Sequence, residues 1–149
     1  RSGSVYYNRG NAKRRKHDYK GAIADYDISI KADPNNPLAF YNRGLTKEKQ
    51  NDAQAAIKDI DIAIKMDPNN YLFYNGKGVA LLKLDKYKDA IESFDQSLKL
   101  KPDFGQAYFN RGYAKHMGLG NLDGACKDWK QAAARGYGAA KRYLDNFCK

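Results

Sequence analysis

Four glycines, Gly10, Gly44, Gly78 and Gly112, stand 34 residues apart, and a chain that repeats itself at that interval is expected to fold as a row of like units. Other positions keep the same step. Tyr6, Phe40, Tyr74 and Tyr108 lie four residues before the glycines, Ala22, Ala56 and Ala90 twelve after, and Pro34, Pro68 and Pro102 twenty-four after. Between glycine and proline the apolar residues recur at helical spacing: Ile23, Tyr26 and Ile30, then Ile57, Ile60 and Ile64, then Ile91, Phe94 and Leu98. Each unit therefore reads as two helices, the first running from near the aromatic through the glycine, the second beginning near Asp18, Asp52, Lys86 or Leu122. Glycine facing alanine lets two antiparallel helices approach closely, with the aromatics filling the space beside the crossing. The prolines end the second helix, since a helix-interior Pro loses a hydrogen bond and clashes with the preceding turn. Asn36-Pro37 reads as an N-cap followed by the first helical residue, and Asp103 as a similar cap.

The pattern of aromatic, Gly, Ala, aromatic or aliphatic, and Pro over 34 residues resembles the tetratricopeptide repeat, TPR. The resemblance implies an all-α fold: a right-handed α-solenoid of four helix-turn-helix repeats (3–36, 37–70, 71–104 and 105–136) with a capping helix over 137–148, one domain across 1–149. The fourth unit departs from the pattern. Its counterpart of Ala90 is Ala125, 35 residues on, so one residue is inserted near Met117 to Gly120, and Gly136 stands where a proline is expected. Ala140, Tyr143, Leu144 and Phe147 then follow at helical spacing, as a helix must that covers the last stacking surface.

A search for chemistry returns little. His17 and His116 fall at different repeat positions with no Cys, Asp or Glu at a metal-site or nucleophile–base spacing. The glycines are repeat glycines, so no phosphate loop is read from them. No enzyme, cofactor or metal site is expected, and the longest aliphatic run, Val79 to Leu82, is far too short to span a bilayer. The triplets Asn8-Arg9-Gly10, Asn42-Arg43-Gly44 and Asn110-Arg111-Gly112 recur, and units with this Arg also carry Asp25, Asp59 or Asp128. The third unit has Gly76-Lys77-Gly78 and Ser93 instead. The favoured reading is an Arg–Asp tie between helices; the alternative is an Arg ladder for an acidic ligand.

TPR arrays bind extended peptides along a concave face made by the first helices. Projected onto this sequence, that face comprises Ser4, Tyr7, Asn11, Arg14 and Arg15, then Leu38, Tyr41, Asn42, Leu45, Glu48 and Lys49. The third unit adds Leu72, Asn75, Val79, Leu82 and Lys83, and the fourth Gln106, Phe109, Tyr113, His116 and Met117. The resemblance thus implies a non-enzymatic protein-interaction module, its groove aromatic and apolar with a basic rim at Arg14, Arg15, Lys49 and Lys83. Such a groove suits a protein or peptide with apolar anchors and some acidic residues; about half of these apolar side chains are expected to pack between helices instead. The carboxylate clamp of TPR chaperone adaptors is not expected: Asn11 and Asn42 match two of its positions, but Tyr7, Leu72 and Gly76 stand where its cations belong.

The net charge is +10, concentrated in the first and last segments and nearly balanced in the middle. A nucleic-acid-binding stripe would run throughout, so RNA binding is the runner-up, beside a spacer or self-association role. The run Lys13-Arg14-Arg15-Lys16-His17 sits where cations favour a helix C-terminus.

Cys126 occupies the position of Ile23, Ile57 and Ile91, where a buried thiol would serve. If the last hairpin turns near Tyr137, however, Cys126 and Cys148 lie side by side, and the stretch Gly124 to Trp129 is similar to the closing repeat of some bacterial cell-envelope TPR proteins. Both readings stand: a buried thiol, or a disulfide pinning the capping helix. A disulfide implies a periplasmic or cell-envelope location; without it a cytoplasmic one is expected. The chain opens on Arg1-Ser2-Gly3-Ser4 without Met or leader, as a processed product, a fragment or a tag remnant would.

Overall fold

The computed structural model describes residues 3–149, and among them every regular element is an α-helix. The fold class is an all-α solenoid of helical hairpins with a capping helix. The chain forms two compact units, divided between Asn69 and Asn70. In the first, α1 (Gly3–Arg15) pairs with α2 (Tyr19–Ala32) and α3 (Pro37–Lys49) with α4 (Ala53–Met66). In the second, α5 (Tyr71–Lys83) pairs with α6 (Tyr87–Leu100) and α7 (Gly105–Leu119) with α8 (Leu122–Ala134), and α9 (Ala139–Phe147) packs on α8. None of these helices is long and apolar enough to cross a membrane.

The repeat glycines are explained by rings rather than by alanines alone. A Cβ on Gly10 would lie 2.8 Å from the Tyr26 ring, one on Gly78 2.4 Å from the Phe94 ring, and one on Gly112 2.7 Å from the Trp129 indole. At Gly44 the corresponding neighbours are the Ala56 carbonyl and the Ile60 side chain, both at 3.0 Å. Each hairpin thus lays a fully buried side chain of its second helix, Tyr26, Ile60, Phe94 or Trp129, across the first helix.

The turn inside each hairpin repeats as well. His17, Asn51 and Asp85 take φ of 63°, 65° and 57°, and in the fourth hairpin Gly120 takes 62°. This left-handed residue lets the following amide reach back along the helix: Asp18 N–H donates to the Lys13 carbonyl and Asp52 N–H to that of Lys47. In the fourth hairpin Asn121 N–H reaches one residue further, to Lys115. The inserted residue is absorbed there, and α7 runs to 15 residues where α1, α3 and α5 have 13. Glycine at 118 permits this, because Tyr87 lies against its backbone.

Asp18, Asp52 and Asn121 cap the second helices by accepting from Gly21, Ala55 and Gly124, while Lys86 makes no side-chain cap. Asn36 caps α3 through Leu38 N–H ahead of Pro37, and Asn70 caps α5 in the same way. Asp103 differs from expectation. Phe104 holds the N-cap of α7 with no side-chain hydrogen bond, and Asp103 instead pairs with Lys101 at 3.3 Å. At the end of α8, Gly136 takes φ 84° where the other hairpins have proline. The capping helix proper is α9, Ala139–Phe147, two residues shorter at its start than the sequence suggests, because Tyr137 is spent in the turn, its ring 5.1 Å from that of Phe109.

Candidate functional site

The recurring Arg and Asp residues meet as ion pairs. Arg9 donates through Nε and one terminal nitrogen to the two carboxylate oxygens of Asp25, both at 2.8 Å. Arg43 does the same to Asp59 at 2.9 and 2.8 Å, and Arg111 to Asp128 at 3.0 and 2.7 Å. A third partner, absent from the sequence reading, completes each cluster: Lys13, Lys47 and Lys115 reach the same aspartates at 3.2, 3.0 and 3.1 Å. The signal was available in the sequence, since 13, 47 and 115 share the repeat register and its third member, Leu81, is apolar in the hairpin that also lacks Arg and Asp. Arg43 and Arg111 each send their remaining nitrogen to the preceding hairpin, to Asp27 at 2.9 Å and Asp95 at 2.8 Å. The ring faces of Tyr6, Phe40 and Tyr108 lie 5.2, 5.5 and 5.5 Å from these guanidiniums, a cation–π placement.

These contacts fix the ionisation of the cluster. Hydrogen bonds from Arg9 hold the Asp25 carboxyl below the usual carboxylate range, against its own burial, with Lys13 adding to the effect. Asp59 raises the pKa of Arg43. Burial opposes the charge on Arg111, but Asp128 and then Asp95 outweigh it and the pKa is raised. Six cations are thereby committed to three buried carboxylates.

On the first-helix face of unit 1, Asn42 is buried and donates to the Tyr7 hydroxyl at 2.9 Å and to Asn11 Oδ1 at 3.2 Å. Asn11 Oδ1 also accepts from the Tyr26 hydroxyl, which in turn accepts from Arg14 Nε at 3.4 Å. Tyr7, Asn11, Arg14 and Asn42 are thus one polar network spanning α1 and α3. Tyr41 and Leu45 are half-buried on α3, while Arg15 and Lys49 are exposed at the helix ends.

In unit 2 the first helices leave a cleft of about 280 Å³, lined by Val79, Leu82, Lys83, Phe109, Asn110, Tyr113 and Tyr143. Five residues of the predicted groove face come together there: Val79, Leu82, Lys83, Phe109 and Tyr113. Asn75 lies buried beneath, accepting from Asn110 Nδ2 at 3.2 Å. His116 is placed elsewhere, its ring 5.9 Å from that of Trp129 and 5.0 Å from that of Phe147, with Nδ1 buried and without a hydrogen-bond partner. Tyr143 joins the cleft from α9: its helical spacing with Ala140, Leu144 and Phe147 sets it on the packed face of the capping helix, whereas its place in the cleft follows from how α9 lies on α8. Its ring meets Phe109 edge-on at 4.9 Å. Behind this wall Cys126 of α8 and Cys148 after α9 are joined in a disulfide, their Cα atoms 5.9 Å apart. The cleft is lined mainly by apolar and aromatic side chains with Lys83 among them, a lining that takes an apolar side chain and tolerates an acidic neighbour.

Comparison with known proteins bears on this arrangement. A family model described as "Tetratricopeptide repeat" matches residues 41–103 and 75–141, and one described as "TPR repeat" matches 10–51. No curated protein matches the chain. Among solved structures, MamA (41-end) from Desulfovibrio magneticus RS-1 is similar at 21% identity, with 97% of this chain and 86% of that chain covered and a TM-score of 0.80. The first TPR of Spaghetti (RPAP3), bound to the HSP90 peptide SRMEEVD, is 23% identical over 77% of this chain and 91% of that one, at a TM-score of 0.75. YrrB, described as a TPR protein with an unusual peptide-binding site, is 20% identical over 96% and 74%, at a TM-score of 0.82.

Proposed function

Because the chain belongs to the tetratricopeptide repeat family, we propose that it is a non-enzymatic protein-interaction module that holds a peptide or partner-protein segment on the faces of its first helices. The carrying observation is the unit-2 cleft, where Val79, Leu82, Phe109 and Tyr113 line a space of about 280 Å³ together with Lys83. A peptide seats an apolar side chain there and sets an acidic residue near the ammonium; burial of the anchor supplies affinity and the charge orients the chain. That Spaghetti is described with a bound peptide, and YrrB with a peptide-binding site, supports a peptide as the class of ligand.

In unit 1 the corresponding face is polar. Tyr7 and Asn11 are tied together through Asn42, so this stretch meets main-chain amides and carbonyls rather than an anchor. The commitment of Arg9, Arg43, Arg111 and their lysine companions to Asp25, Asp59 and Asp128 weighs against RNA, because a cation already neutralised releases few counterions from a phosphate backbone.

The reading is tested by selecting a random-peptide library on the wild-type protein and measuring retention by a Tyr41→Ala, Tyr113→Ala double variant. Enrichment of apolar–acidic sequences and at least a tenfold loss of retention are expected, a change of ~1.4 kcal/mol or more. Equal retention by both proteins would show that the groove faces do not bind.

A further inference from the structure

We propose that the Cys126–Cys148 disulfide is a redox-operated latch on the unit-2 cleft: reduced by a dithiol, it lets α9 leave α8 and takes the Tyr143 wall away. The inference rests on the cleft being the peptide site, and it adds a condition under which that site exists.

The α9 helix has nine residues and starts at Gly138 without a side-chain cap, too short to hold helical structure on its own. Its attachment is apolar and one-sided. Ala140 is fully buried, and Tyr143 and Leu144 pack on the cluster of Ala125, Trp129 and Ala132. Lys141, Arg142 and Asp145 face solvent. Phe147 touches Trp129 and His116 yet remains 42% exposed. The covalent tie comes one residue later, closing a ring between positions 22 apart in sequence. Opening that ring returns to the released segment the conformational freedom the crosslink had removed.

Both cysteines are only partly buried, so a thiolate can reach them. A dithiol thiolate attacks one sulfur, forming a mixed disulfide and releasing the other cysteine as thiolate. The reagent's second thiolate then attacks the reagent sulfur of the mixed disulfide and expels the remaining cysteine as a thiolate. Two electrons and two protons pass to the protein, leaving Cys126 and Cys148 as thiols and the reductant as its own disulfide. Once α9 departs, Phe109 loses its edge contact with Tyr143 and the cleft opens on that side.

The molecule carries its own reporter, since Trp129 is the single tryptophan of the chain and is fully buried, with the Tyr143 ring 5.1 Å away. The full chain, oxidised or treated with dithiothreitol, is followed by amide hydrogen exchange and Trp129 emission. Each form is also tested for retention of the peptide pool enriched on the oxidised protein. Expected on reduction are a fall of about 100-fold in protection over residues 139–147, a red shift of Trp129, and at least a tenfold loss of peptide retention, with α1–α8 protected as before. The Cys126→Ser, Cys148→Ser double variant should match the reduced protein and ignore dithiothreitol. Tyr143→Ala, its disulfide intact, should lose the peptide while keeping α9 protected.

Unchanged protection over 139–147 after thiol titration shows complete reduction overturns the latch. So does loss of protection through α7 and α8, which would mean the unit had unfolded. A pool retained equally by both forms defeats the latch and leaves the peptide reading standing, whereas a library that never enriches on the oxidised protein sinks both.

Discussion

Each of the three buried aspartates carries more hydrogen-bonding cation around it than one salt bridge requires, and that excess decides what its loss would cost. Asp59 keeps only 5% of its side chain exposed, and the Arg43 and Lys47 side chains around it 17% and 25%. Removing Arg43 leaves the carboxylate with a single cation and a stripped Phe40 face. Arg43→Ala should cost roughly 3 kcal/mol in denaturant unfolding, the lower end of the range for breaking a buried ion pair because Lys47 stays with the carboxylate, and leave peptide affinity unchanged. Intact stability with lost affinity would instead identify an Arg ladder for ligand. Asp25 adds a pH dependence. Its folded pKa lies below the unfolded value near ~3.9, so its contribution is fully present above that value and is lost as pH falls through it towards the folded pKa. Thermal unfolding of wild type should therefore drop steeply in that acid window, while Asp25→Asn starts lower at neutral pH and falls less. Parallel curves would assign the acid sensitivity to other groups. The Arg–Asp correlation was legible because both residues vanish from the same repeat; the lysine was overlooked because its absence there reads as an ordinary core leucine.

Helix and turn positions show why glycine recurs where the helices cross. Gly78 faces the edge of the Phe94 ring, whose nearest atom would lie 2.4 Å from a new Cβ, and Phe94 is fully buried with little room to retreat. Gly78→Ala should destabilise by about 1–3 kcal/mol despite its better helix propensity, and Phe94→Leu in the same chain should recover part of the loss. A stabilised single variant would show that the ring can move aside. The helix pairs were visible from the period and its apolar spacing. The left-handed turn residues were not read, although His17, Asn51, Asp85 and Gly120 are the residue types that best tolerate φ near 60°: their one-per-repeat signal is weaker than the apolar spacing around it. Asp103 misled for a related reason: its side chain is taken by Lys101, and Phe104 occupies the cap.

At the scale of the molecule, the sequence located the apolar half of the unit-2 cleft because Val79, Phe109 and Tyr113 obey the repeat. It set Tyr143 on the packed face of the capping helix but not in the cleft, since past Gly136 the 34-residue register that projects the groove no longer applies. The net charge of +10 says little about where free cations stand, because six of the basic side chains are held by buried aspartates within the hairpins. Arg9, Lys13 and Asp25 all belong to one hairpin, as do Arg43, Lys47 and Asp59, and Arg111, Lys115 and Asp128. In a linear array, stability divides into what each hairpin owns and what it shares with its neighbour. The charged clusters belong to the first account. Within each unit, what crosses from one hairpin to the next includes the asparagine hydrogen bonds Asn42–Tyr7, Asn42–Asn11 and Asn110–Asn75. It also includes the bridges Arg43–Asp27 and Arg111–Asp95, which are weak because their aspartates are more than half exposed. Salt screens these exposed bridges more than it does the buried clusters, so within each unit added salt loosens neighbouring hairpins from one another before it weakens a hairpin itself, and unfolding moves towards hairpin-by-hairpin fraying.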